Sequence, residues 1–170
     1  MASLADSLWH RNRVLAEAAL EHPFVQGIAS GELARATFAY YVGQDAAFLD
    51  AFCRAYALAL AKSPDQDGLI AYRELLDAAA DELRLHQGYA ARWDVDLHQG
   101  ADRATSAYTN FLLAVAALEP VGHIAAAMTP CMRLYAYLGQ QLEAQTKPDS
   151  SRAIAVVTML AGLPVRASRR

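Results

Sequence analysis

The chain has 170 residues, of which 55% are hydrophobic and 19% charged, and its formal net charge is -3 at pH 7. This length suits one domain with a sizeable core, and the composition excludes an intrinsically disordered chain. The slight acidity argues against a nucleic-acid-binding protein, which usually carries a basic patch or stripe. Cys53 and Cys131 form neither a disulfide framework nor a zinc spacing, so we expect reduced thiols in a cytoplasmic protein. Neither a signal peptide nor a membrane span is predicted.

Helical periodicity runs through most of the sequence and predicts an all-α bundle. The first helix is expected over about residues 2–20, with a break at His22-Pro23. The second begins at Ser30-Gly31 and ends near Ser63-Pro64. The remaining predicted helices cover about residues 65–93, 101–118 and 121–145, the last one kinked at Pro130. A weak alternation at residues 154–158 is the one hint of a strand.

Three of these helices carry an apolar stripe that includes a chemically active group. The stripes have spacings of three and four residues and consist of Phe38, Tyr41, Asp45, Phe48 and Phe52, then Tyr108, Phe111, Val115 and Leu118, then Met128, Cys131, Tyr135, Leu138 and Leu142. If the stripes converge, they enclose an apolar pocket that holds a carboxylate, a thiol and phenols. Such a pocket suits a flat aromatic ligand with a few polar ring atoms.

Each of the active groups also has a purely structural interpretation. Because proline favours the first position of a helical segment, Cys131 is expected in a first turn, where the helix dipole lowers a thiol pKa and activates it. The alternative is a small, inert core cysteine. Asp45 either pairs with a neighbouring helix for structure or binds a ligand. Tyr108 alternatively lies in the core with its hydroxyl at the edge.

The acidic and histidine residues do not predict a metal or heme site. Glu82 and His86 share one helical face, but a di-iron bundle needs two Glu-x-x-His motifs and two further glutamates. We therefore expect a structural pair there, and neither a metal nor a cofactor. The other histidines are scattered and do not suggest a heme ligand.

An ordered set of short motifs resembles the TenA family, the thiaminase II proteins. The matching residues are His22-Pro23-Phe24-Val25-Gln26, Gly31-Glu32-Leu33, Phe38, Tyr41-Val42-Gly43-Gln44-Asp45, Glu82-Leu83-x-Leu85-His86, Tyr108-Thr109-Asn110-Phe111-Leu112, Pro130-Cys131 and Tyr135. Their order and approximate spacing match over roughly residues 8 to 146. The resemblance implies a heme-oxygenase-like helical bundle, usually a homotetramer, with no metal and no heme.

The resemblance also implies an activity and a set of site residues. The family hydrolyses 4-amino-5-aminomethyl-2-methylpyrimidine to the hydroxymethylpyrimidine and ammonia in thiamin salvage, and some members cleave thiamin. By similarity Cys131 is the nucleophile that adds to the ring, and Asp45 binds its amidine-like edge. Tyr108 and Tyr135 would hydrogen-bond or stack at the pocket, and Phe48 would form an aromatic wall. Tyr41 completes the predicted substrate-binding set.

The end of the chain departs from the family pattern. In the family the general acid–base is a Glu on the last helix, whereas this sequence has no Glu after Glu143. We therefore divide the chain into a TenA-like domain at residues 1–149 and a divergent tail at 150–170, and we expect the usual last helices to be lacking. Our hypothesis is that a frameshift or truncation replaced them, in which case Glu82 would be the substitute acid–base. A non-catalytic pyrimidine-binding or regulatory bundle is the alternative function.

Overall fold

The computed structural model describes residues 3–93, 95–97 and 100–145, and within these ranges the chain forms six α-helices and no strand. The helices are α1 (Leu4–Leu20), α2 (Pro23–Ser30), α3 (Arg35–Ala61), α4 (Gln66–Trp93), α5 (Arg103–Leu118) and α6 (Val121–Gln145). The all-α prediction is confirmed. No described helix combines the length and the apolar character needed to cross a membrane. The divergent tail and the weak alternation at residues 154–158 lie outside the described residues.

The sequence prediction missed α2, because His22-Pro23 was interpreted only as a break. In the structure Pro23 instead begins a helix, and the His22 side chain caps it by accepting a hydrogen bond from the Phe24 N–H at 3.2 Å. Proline suits a first helical position because its fixed φ is already helical and its missing N–H is not needed there. Gly31 then ends the helix in the left-handed conformation, with φ of 75°.

The described residues divide into two compact units. The terminal unit takes its described residues from 3–34 and 132–145, and the central unit is 35–131. In the terminal unit the rings of Trp9 and Tyr137 meet edge to face with centroids 5.4 Å apart, and the Arg133 guanidinium lies 4.9 Å from the Trp9 ring centroid. These contacts join α1 to the later turns of α6 through aromatic and cation–π packing.

The core of the central unit is formed by α3, α4, α5 and the first part of α6. Its buried members are Phe52, Ala55, Tyr56, Ala59, Ala79, Leu112, Ala116, Ile124 and Met128. Four of the nine are alanines, and such small side chains let helices approach closely. Helix α3 packs against both α4 and α5, so its buried face becomes the centre of this unit. Side chains on that face are therefore held rigidly against two neighbouring helices.

Polar contacts from α3 and from Lys62, the residue that follows it, hold both ends of α5. At its beginning the Asp102 N–H donates to Gln44 Oε1 at 2.8 Å, while the Asp102 carboxylate caps the helix by accepting from the Thr105 N–H at 2.7 Å. At its end the Lys62 ammonium donates to the carbonyl oxygens of Ala116, Ala117 and Glu119 at 2.8, 2.8 and 2.9 Å. A cation at this end also complements the helix dipole.

The predicted inward face of α5 is wrong by one position. Its buried residues are Thr109, Leu112 and Ala116, whereas the predicted stripe is largely exposed, with Phe111 52% and Leu118 81% accessible. Two parallel stripes of similar hydrophobicity run along this alanine-rich helix. The sequence pattern predicts that the stripe with the larger side chains faces inward, but close packing on α3 favours the face with the smaller ones.

Replacing Lys62 with Met is expected to destabilise the chain, because three carbonyl oxygens at the end of α5 lose their charged donor. The expected loss is about 1–3 kcal/mol, the range for hydrogen bonds to a charged group. Urea denaturation followed by circular dichroism measures it. Arg73→Met, at an exposed cation on α4, is the control; equal effects of the two substitutions would contradict the capping role.

Candidate active site

The middle of the central unit holds a buried ion pair between α3 and α4. Asp45 is 7% exposed and His86 is fully buried, and His86 Nε2 lies 2.7 Å from Asp45 Oδ2. The other ring nitrogen, Nδ1, lies 2.9 Å from the Glu82 carbonyl oxygen, one helical turn earlier on α4. Because a carbonyl oxygen can only accept, Nδ1 carries a hydrogen and donates it. Asp45 therefore has the buried partner that its position in an apolar stripe required.

The Glu82 carboxyl is a second acid beside this pair. Burial is the main cause that raises the pKa of Glu82 to about 7; the charge of Asp45 adds to the increase, and that of His86 opposes it. No described residue donates a hydrogen bond to this carboxyl. A carboxyl that titrates near neutrality can both give and take a proton under physiological conditions.

Cys131 lies on α6 at the edge of the core of the central unit. The prediction of a helix first turn is wrong, because α6 is continuous from Val121 to Gln145 with Pro130 inside it. The expected lowering of the thiol pKa is wrong too. Burial first, and then the charges of Asp45 and Glu82, raise the pKa of Cys131 to about 12. The thiol is therefore protonated in the ligand-free protein and needs a proton acceptor before it can act as a nucleophile.

An aromatic stack lies beside the acidic groups. The rings of Phe48 on α3 and Tyr108 on α5 are stacked, with centroids 5.5 Å apart and an interplanar angle of 20°. Burial raises the pKa of Tyr108 to about 12, and the nearby Cys131 adds to the increase, so this phenol is a hydrogen-bond donor at neutral pH. Phe48 in turn contacts Phe52 at 4.9 Å.

Five of the six predicted site residues lie in the central unit. Asp45, Phe48, Tyr108 and Cys131 come from three helices, and Tyr41, partly buried, lies one turn before Asp45 on α3. Tyr135 is partly buried in the terminal unit, and its role at the site stays a prediction.

Sequence reasoning undervalued His86 and Glu82, which were expected to pair with each other. Instead His86 contacts the Glu82 backbone and the Asp45 carboxylate. A signal was present in the sequence, since His86 falls with Ala79 and Ala90 on the buried face of α4. A histidine on an otherwise small, apolar face needs a polar partner from another helix.

Within the described part of the chain, neither a metal-binding cluster nor the surface depression between α5 and α6 offers a competing site. Within residues 3–93, 95–97 and 100–145, no group of three or more His, Cys, Asp or Glu side chains could hold a metal ion. A surface depression of about 540 Å³ lies between α5 and α6, lined by Phe111, Val115, Glu119, His123, Ala126 and Ala127. It is wide open, and none of the acidic groups around Cys131 lines it.

Comparison with known proteins gives the family. Residues 9–159 match the model of the TENA/THI-4/PQQC family. This chain belongs to that family. Among curated relatives of this TENA/THI-4/PQQC protein, a bifunctional mitochondrial TH2 protein of Arabidopsis thaliana is 35% identical over 139 residues. An aminopyrimidine aminohydrolase of Halalkalibacterium halodurans is 32% identical over 146 residues. The matches cover 70% and 83% of this chain but only 22% and 65% of those proteins.

Solved structures agree with the helical fold. A TenA homologue from Pyrococcus furiosus matches with a TM-score of 0.80 at 22% identity, over 93% of this chain and 82% of its own. A TenA family transcription regulator from Silicibacter sp. TM1040 matches with a TM-score of 0.73 at 29% identity, over 85% of this chain and 73% of its own. The resemblance predicted from the motifs is therefore confirmed at the level of family and fold.

Replacing Glu82 with Gln is expected to stabilise the chain at pH 8 and to change little at pH 5. The folded pKa of Glu82, near 7, lies above its ordinary value of 4.5, so a favourable contribution present below 4.5 is lost as the pH rises through 7. At pH 8 the substitution removes an ionised group beside Asp45, a gain of about 1–3 kcal/mol.

Urea denaturation at the two pH values measures this difference, and Glu74→Gln, at an exposed position of the same helix, is the control. Loss of stability at pH 8, or an equal effect at both pH values, would contradict the raised pKa of Glu82.

Proposed function

We propose that this chain is a cysteine-dependent aminopyrimidine hydrolase that converts 4-amino-5-aminomethyl-2-methylpyrimidine to the hydroxymethylpyrimidine and ammonia in thiamin salvage. The observation that carries the proposal is the grouping of a buried carboxylate, a thiol and a near-neutral carboxyl beside an aromatic stack, all in the central unit. The name of the Halalkalibacterium relative, aminopyrimidine aminohydrolase, supports the substrate class. A small aminopyrimidine or thiamin is thus the proposed partner, and assembly as a homo-oligomer is part of the proposal.

Each group has a distinct task in binding the ring. The Asp45 carboxylate accepts hydrogen bonds from the exocyclic amine edge of the pyrimidine. Phe48 and Tyr108 offer flat aromatic surfaces for the ring, and the Tyr108 hydroxyl remains a donor. Such a set, with few polar groups among aromatic ones, fixes the orientation of a flat ligand. The orientation then decides which ring carbon faces Cys131.

Glu82 supplies the proton transfers in the proposed reaction. The Cys131 S–H proton passes to the Glu82 carboxylate, and the thiolate forms a C–S bond to the ring. The electron-rich adduct expels the amine from the exocyclic methylene, and Glu82 gives that amine its proton, which releases ammonia. Water then adds to the methylene and gives a proton to Glu82. The C–S bond breaks, and Glu82 passes that proton to the thiolate, which restores the thiol. Atoms and protons balance as substrate plus water giving alcohol plus ammonia.

The raised thiol pKa is compatible with this chemistry. Moving a proton from a thiol with pKa about 12 to a carboxyl with pKa about 7 is uphill by roughly 7 kcal/mol before the ligand binds. An enzyme with about ten turnovers per second has a total barrier of roughly 16 kcal/mol. The proton transfer therefore fits within an ordinary catalytic barrier, and a ring bound against Asp45 reduces it by offsetting one of the charges that raise the thiol pKa.

A pyrimidine-binding protein without turnover is the second candidate. The observation that favours it is the protonated resting state of Cys131, whose thiol has a pKa of about 12. This candidate predicts that an aminopyrimidine raises the melting temperature while no ammonia appears.

Replacing Cys131 with Ser is expected to reduce ammonia release from the aminomethyl substrate by on the order of a thousandfold or more, because a serine hydroxyl is a much weaker nucleophile. Pyrimidine binding, measured by calorimetry, should change little. Cys53→Ser, at the other free cysteine, is the matched control and should retain most activity. Unchanged turnover after the Cys131 substitution would exclude its nucleophilic role.

Replacing Glu82 with Gln is expected to lower kcat by about 10²–10⁴ with a small change in KM, the range for loss of a general acid–base. At pH 8 the Glu82→Gln variant would thus be more stable but less active than the unmodified chain. Steady-state ammonia release measures the effect, with Glu74→Gln as the control. An equal or higher kcat would show that Glu82 only raises the thiol pKa through its charge.

A further inference from the structure

Two contacts fix the orientation of the His86 imidazole ring. The fully buried His86 places Nε2 2.7 Å from Oδ2 of Asp45. The imidazole itself is fixed by its second nitrogen, which donates to the Glu82 carbonyl oxygen at 2.9 Å. The ring therefore cannot flip without losing a hydrogen bond inside the core.

A proton must lie between the two groups. With Nδ1 already a donor, an unprotonated Nε2 would direct its lone pair at a carboxylate oxygen 2.7 Å away, which is repulsive. An imidazolium opposite a carboxylate removes that repulsion. The Nε2–H is not aligned on Oδ2 well enough for a strict hydrogen bond, so the attraction is chiefly that of an ion pair.

The surrounding charges favour the imidazolium form. Asp45 on α3 and Glu82 on α4 are the ionisable groups that act on His86, and both also act on Cys131 on α6. Burial lowers the pKa of His86, but the contact with Asp45 and the hydrogen bond and charge of Glu82 outweigh it, so the pKa is raised overall. The protonated His86 thus offsets one of the negative charges in this cluster.

We propose that His86 is a positioning residue that holds Asp45 ionised, so that the Asp45 carboxylate accepts hydrogen bonds from N–H groups of the bound ring. This inference rests on the proposed function, because it assigns how the ring-binding carboxylate is prepared. An ionised carboxylate favours ligands with an exocyclic amine or a protonated ring nitrogen. It disfavours oxygen-substituted rings, whose carbonyl oxygen would oppose the carboxylate.

The first experiment needs no ligand. Nitrogen-15 NMR of the histidine rings is expected to show His86 with both nitrogens protonated from pH 6 to pH 8, since the buried carboxylate supports the cation. In Asp45→Asn the same ring should change to the neutral form with hydrogen on Nδ1. A neutral His86 in the unmodified chain at pH 7 would overturn the proposal.

The second experiment measures binding of 4-amino-2,5-dimethylpyrimidine, an analogue without the leaving amine. Calorimetry at pH 6 and pH 8 compares the unmodified chain with His86→Gln and with His123→Gln, an exposed histidine on α6. At each pH the Kd of a variant is divided by the Kd of the unmodified chain, which removes the effect of ligand protonation from the comparison. We expect His86→Gln to bind about tenfold more weakly at pH 6 and to recover in part at pH 8, because a buried carboxylate without a neighbouring cation takes up a proton more readily.

The outcomes separate the possible failures. A Kd ratio that is the same at both pH values would indicate a structural role only and would overturn the positioning role. If His86→Gln does not fold, the NMR signature of the unmodified chain still decides whether the ion pair exists. If the unmodified chain binds no aminopyrimidine, the proposed function fails, whereas the NMR result still tests the state of His86 separately.

Discussion

Asp45 and His86 are both buried, and in that environment neither charge is stable without the other. An unpaired ion in the interior costs several kcal/mol even after relaxation, and breaking such a pair typically costs about 3–5 kcal/mol. The pair joins the centre of α3 to the centre of α4 at one register, because a shift of either helix by one residue would separate the two groups. Gln44, next in sequence to Asp45, then fixes the beginning of α5 through the Asp102 backbone. The position of Tyr108 on α5 therefore follows from the same segment of α3.

The site places several acidic groups together in the protein interior. This arrangement lowers the stability of the fold but has a chemical use. The charge of Asp45 raises the pKa of both Glu82 and Cys131, Glu82 adds to the increase at Cys131, and His86 opposes the increase at Glu82. A core selected for stability alone would place apolar side chains there. In this protein the result is a carboxyl that exchanges protons near neutrality and a thiol that stays protonated until a ligand arrives. Perturbed groups of this kind are typical of catalytic sites.

Much of the fold could be predicted from the sequence, because helix periodicity and breakers are local signals. The boundaries of α4 and the start of α6 at residue 121 were predicted correctly, and the stripe with Asp45 does face the core. The failures depend on long-range packing. The inward face of α5 is set by how closely it packs on α3, and the partner of His86 lies on another helix. The ionisation of Cys131 depends on burial and on charges from α3 and α4, which no local pattern around Pro130 contains.

The most direct test of the account is a crystal structure of the Cys131→Ser chain with 4-amino-5-aminomethyl-2-methylpyrimidine. The account predicts that the exocyclic ring amine donates to the Asp45 carboxylate, and that the side-chain oxygen at position 131 faces a ring carbon. It also predicts that the aminomethyl group lies within hydrogen-bond distance of Glu82. A ring bound without contact to Asp45, for example in the surface depression between α5 and α6, would contradict it.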